Sequence, residues 1–177
     1  MTSDFTRVLQ IEPLATGLAP LMGFAQTPLL ALPAAVDVAM AGSERLRTAC
    51  ADEFVADLSD FARAAVAFAA AKRAAPGCAI PDADAIAALH LFTMDSPLYG
   101  AMNAALRSEQ RADAKPFFPL LRLLLTAVSF LEPRGDVVLR GVRRAIAGEY
   151  AAGAAVTWHA FSTATASARA VDRKSVV

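Results

Sequence analysis

Between positions 54 and 75 apolar residues recur at three- and four-residue steps, with Phe54, Leu58, Phe61, Ala65 and Phe68 on one side and Asp57, Asp60 and Arg63 off it. That spacing predicts an amphipathic helix with this stripe buried, ending where Pro76-Gly77 interrupts it. A second helix is predicted from Asp82, whose carboxylate can accept from free backbone N–H groups, through Ile86 and Leu89 to about Met94. Ser96 and Pro97 open a third, with Leu98, Met102, Ala105 and Leu106 as its apolar side. The most hydrophobic segment starts at Pro116. Phe117, Leu121, Leu124, Val128 and Leu131 form its stripe, and Leu120 and Leu125 widen it, which predicts a central helix. Upstream, Pro33 fits the first turn of a helix reaching Met40, with Gly42 as its stop. Residues 1–32 carry no sustained period and read as irregular, apart from a helical turn at most.

The pattern changes at Pro133-Arg134-Gly135-Asp136, a turn cluster. Val137-Val138-Leu139 and Val156-Thr157-Trp158-His159-Ala160-Phe161 favour strands, with a short helix between them over 143–150. The fold expected is therefore α+β: a helical bundle over 33–132 packed on the first strands of a mixed or antiparallel β-structure over 133–177, with a cleft where the two meet. The chain stops on Ser175-Val176-Val177 as another strand would begin, so it reads as incomplete at its C-terminus.

Composition narrows the functional classes. The 17 Lys+Arg balance the 17 Asp+Glu, so no net field favours nucleic acid or an anionic membrane. Apolar residues make up 56% and charged residues 19%, enough for a core. Two cysteines (Cys50, Cys78) and two histidines (His90, His159) lack the spacing of a zinc site, and the cysteines read as buried or inert thiols in a reducing compartment. The longest uncharged stretch, Pro13 to Val36, is interrupted by Pro20, Pro28 and Pro33 as well as opening on Pro13, which argues against a membrane span, and no secretory signal is visible. A cytoplasmic protein is the expectation.

Single elements carry little chemistry. Arg140-Gly141 alone reads as a strand end with a turn glycine, and His159 as a partly buried histidine. No G-x-S-x-G, phosphate-binding glycine loop or His-Glu-x-x-His is present. The ordered series is more specific. Leu98-Tyr99-Gly100-Ala101-Met102-Asn103-Ala104-Ala105-Leu106-Arg107 is followed by Lys115-Pro116-Phe117-Phe118 and its long apolar helix. Then come Val137-Val138-Leu139-Arg140-Gly141-Val142, Tyr150-Ala151-Ala152-Gly153 and Val156-Thr157-Trp158-His159-Ala160-Phe161-Ser162-Thr163-Ala164-Thr165.

In order and spacing this resembles the arginine-type mono-ADP-ribosyltransferases of the R-S-E class, over residues 82–165 with a weaker echo at 24–38. The resemblance implies an NAD(P)+–protein-arginine ADP-ribosyltransferase, with NAD or NADP as co-substrate and a protein arginine as acceptor. It assigns Arg140 to the dinucleotide phosphates, which suit a planar, permanently charged guanidinium. Gly141 takes the place where bare backbone approaches the nicotinamide amide. Thr163 stands where the family has its first motif serine, keeping the hydroxyl that holds the ribose, and Thr165 keeps a second hydroxyl. The family's Glu-x-Glu, which stabilises the oxocarbenium-like transition state and prepares the acceptor, has no counterpart: Glu149 is the last glutamate of the sequence. The expectation is an inactive, truncated member without a catalytic carboxylate. Truncation would leave an open strand edge and an exposed apolar face, open to self-association. The competing reading is a non-catalytic helical interaction module derived from that family, whose partly uncovered Phe117 to Leu131 surface would serve a partner or a second copy.

Overall fold

The structure, a computed structural model, describes residues 18–51, 57–133 and 159–161. The chain divides into two units, Ala19–Glu132 and a second formed by Met1–Leu18 with Pro133–Val177. Residues 18, 133 and 159–161 are the described part of the second unit.

In the first unit, a 3-10 turn at Phe24–Gln26 precedes α1 (Leu32–Gly42), α2 (Glu44–Cys50), α3 (Leu58–Ala74), α4 (Ala83–Thr93) and α5 (Pro97–Arg107). A 3-10 stretch, Arg111–Phe117, then runs into α6 (Phe118–Ser129). α3 packs chiefly on α4, and α4 on α6. α1 lies against α6, the second 3-10 stretch and α3, while α2 rests on α5.

Local chemistry explains most helix starts. Asp82 Oδ1 accepts from the N–H of Asp84 at 2.8 Å and of Ala85 at 3.3 Å, opening α4. Asp57 does the same for α3 through the Ser59 N–H at 2.9 Å, and Ser43 Oγ for α2 through the Leu46 N–H at 3.2 Å. α2 has no counterpart among the sequence expectations. Gly77, at φ 78° in the turn that ends α3, holds a backbone conformation that side chains disfavour.

α1 is capped differently. Its first turn carries no acidic residue, its last turn no basic one, and Ala31 offers no capping side chain. Both ends borrow a charge from another helix. Asp84 of α4 accepts from the Leu32 N–H at 2.8 Å, and Arg47 of α2 donates from Nη1 to the carbonyls of Met40 (2.9 Å) and Ala41 (2.7 Å). An anion at the N-terminus and a cation at the C-terminus both oppose the helix dipole and satisfy backbone groups that have no partner within the helix.

The core centres on α6. Phe118, Pro119, Leu120, Leu121, Leu123, Leu124 and Ala127 are buried, as the width of its apolar stripe predicts. Arg122, its one charge, escapes by donating to the Ala25 carbonyl at 3.0 Å, and Phe24 meets Phe118 edge-on at 5.5 Å. Together they fasten the first 3-10 turn to α6. The surface expected to lie open around this helix is closed over most of its length, with Phe117 and Leu124 buried and exposure confined to its end at Phe130 and Leu131.

Two expectations need correction. On α3 the buried residues are Leu58, Ala62, Ala65 and Ala69. Phe61 is half-buried and Phe68 is 42% exposed, so the two phenylalanines do not share the buried stripe. Small side chains on the contact face let helices approach closely, leaving the larger rings at its margin. Phe54 lies outside the described residues.

The second correction concerns the fold class. Among the described residues every regular element is helical and none is a strand, which overturns the α+β expectation. The run 137–139 lies outside the described residues. Of the run 156–161, His159-Ala160-Phe161 are described, and they bend at Ala160 instead of extending in a ladder. A short β-favouring run is a weak signal, because strand preference is largely the packing and pairing that a partner strand supplies.

The close approach of α1 to the second 3-10 stretch yields a test. A Cβ on Gly42 would stand 2.8 Å from both Cβ and Cγ of Pro116, a rigid ring that cannot turn aside. Gly42→Ala would gain at most about 1 kcal/mol of helix propensity against ~1–3 kcal/mol of overpacking. The expected result is a lower urea midpoint with an unchanged m-value; a higher midpoint would show that the two segments part without cost.

Candidate functional site

α5 carries the first element of the motif series. Pro97 occupies its first turn, where the missing N–H costs nothing, and the backbone then turns Leu98, Ala101, Met102, Asn103, Ala105 and Leu106 inward. Asn103 is 1% exposed, one of two buried polar residues in the described core. Tyr99 tilts against Phe92 of α4, the ring centres 5.1 Å apart. Arg107 remains exposed at the C-terminal end. The Leu-Tyr-x-x-x-Asn-x-x-Leu-Arg element therefore acts in this structure mainly as a packing face.

The ends of α5 differ from the sequence expectation at one point. Ser96 stands at the N-cap position but its hydroxyl accepts no backbone N–H, and Oγ is buried without a partner. At the other end Arg111 donates from Nη1 to the carbonyls of Leu106 (2.8 Å) and Ser108 (3.0 Å), and Ser108 Oγ donates to Asp113 at 2.7 Å. These bonds set the course of the chain into Lys115-Pro116-Phe117-Phe118 and hence into α6.

The residues assigned to the dinucleotide, Arg140, Gly141, Thr163 and Thr165, lie outside the described residues, as do Tyr150 and Trp158. From the last motif, His159 is half-buried and Ala160 and Phe161 are buried.

One titratable side chain is paired with an aromatic ring that the sequence does not place beside it. The His90 imidazole of α4 stacks on Phe68 of α3, centroids 3.8 Å apart and planes 16° from parallel. The sequence places both residues on predicted helices, but which helix faces which is not a local property. Burial pushes the His90 pKa below its ordinary value. The unfolded chain then takes up a proton at higher pH than the folded one, so this residue's contribution to stability falls as the pH drops through about 6.5. Wild type should lose more thermal stability than His90→Phe between pH 7.5 and 5.5. Equal losses would show that the ring titrates as in the unfolded chain.

Burial, and then the charge of Asp57, raise the pKa of Cys50, which makes it a poor nucleophile near neutral pH. Among the described residues no three His, Cys, Asp or Glu side chains gather as metal ligands would, and no helix is long and apolar enough to cross a membrane. Compared with family models, with curated proteins and with solved structures, the chain matches none of them.

Proposed function

We propose that this chain carries the helical scaffold and dinucleotide-binding residues of an NAD(P)+–protein-arginine ADP-ribosyltransferase. The observation that carries the reading is the ordered series from Leu98 to Thr165, in which the helical elements, Arg140-Gly141 and the hydroxyl motif follow one another at consistent spacing. α5 and α6 are helices over the stretches the resemblance requires, and Leu98, Asn103 and Leu106 of the first element are buried together.

The chemistry follows from the residue types. The reaction breaks the bond between nicotinamide and ribose, and positive charge grows on the ribose as nicotinamide departs. Arg140 would grip the phosphates through paired, charge-assisted hydrogen bonds, Gly141 would let backbone meet the nicotinamide amide, Thr163 would hold the ribose, and Thr165 would keep a second hydroxyl at the site. The carboxylate that would stabilise the growing charge has no candidate after Glu149 in these 177 residues. Binding without transfer is the behaviour expected of this polypeptide.

Calorimetry with NAD and with NADP tests the reading. Wild type should bind one of them, and Arg140→Ala should weaken binding at least tenfold, since a charge-assisted hydrogen bond contributes about 1.5–3 kcal/mol. Arginine-containing acceptor peptide should take up no ADP-ribose from either protein. A folded wild type that binds neither dinucleotide would overturn the proposal and leave the helical interaction module. That second reading draws on the exposed apolar side chains Val66, Phe68, Phe130 and Leu131. A strictly monomeric chain by light scattering would count against its self-associating form.

A further inference from the structure

We draw no further inference here: the strongest candidate, the exposed apolar side chains Val66 and Phe68 at separate positions around α3, carries nothing because nothing in the structure shows what covers them beyond the His90 ring stacked on Phe68.

Discussion

Phe117→Ala lowers the unfolding free energy by about 3–5 kcal/mol, while Leu131→Ala, on the same apolar stripe of the sequence, changes it by less than ~1 kcal/mol. The two positions differ in burial. Phe117 is wholly buried where the second 3-10 stretch passes into α6, against which α1 also packs, whereas Leu131 is 43% exposed beyond the last turn of α6. Removing the ring deletes its transfer free energy and leaves a cavity. The surrounding groups can close it only in part, because Gly42 and Pro116 already hold α1 against this stretch at near contact. Since a domain of this size has about 5–15 kcal/mol of total stability, the loss is a large share of it. Urea denaturation followed by far-ultraviolet circular dichroism measures the difference, with Phe117→Leu as a control expected to recover most of it. Equal effects at 117 and 131 would show that the first position is not at the centre of the core.

Asp84→Ala costs about 2 kcal/mol, and Asp84→Asn restores only part of it. Asp84 contributes to two helices at once, standing in the first turn of α4 and accepting from the first N–H of α1, a residue 52 positions away. Losing the carboxylate leaves a part-buried N–H unpaired and removes the negative charge from the positive end of the α1 dipole. Asparagine keeps an acceptor but not the charge, so the gap between the two variants separates the hydrogen bond from the electrostatic contribution. Salt supplies a second readout, because the charge contribution shrinks as ionic strength rises and the hydrogen bond does not. Hydrogen exchange should show the loss concentrated in the first turn of α1. A uniform loss over the unit would mean that α1 is held by packing alone.

The same contrast bears on the functional reading. If Arg140→Ala abolishes dinucleotide binding and leaves stability unchanged, the residues that grip the ligand are separable from those that hold the helical unit. Phe117→Ala should do the opposite: its effect on binding should follow the fraction of unfolded protein and vanish under conditions where the variant is fully folded. Measured together, the two variants distinguish a true site from a general loss of structure.

Part of this protein was legible without coordinates because the interactions concerned are local. Asp82 opens α4 through bonds reaching two and three residues onward, Pro97 fits the first turn of α5, Pro76-Gly77 ends α3, and the breadth of the α6 stripe announces a central helix. The proposed site rests only on an ordered series of residue types, and its residues lie outside those the structure describes. The proposal for Arg140, Gly141, Thr163 and Thr165 draws on their order and spacing in the sequence, not on any property each has alone.

Tertiary structure decided what depends on distant partners. It placed Ala62, Ala65 and Ala69 in the α3 core while leaving Phe68 to stack on His90, because the closeness of two helices, not the hydrophobicity of one residue, determines which face is sealed. It also capped α1 with Asp84 and Arg47, neither of which belongs to that helix. The described end of the β-favouring run, His159-Ala160-Phe161, bends instead of pairing for a related reason: a strand exists through its neighbour. Sequence alone thus determined where most of these helices begin and end, since caps and turns act over a few residues. Which faces they bury, and which charges hold their ends, were decided by contacts between residues far apart in the chain.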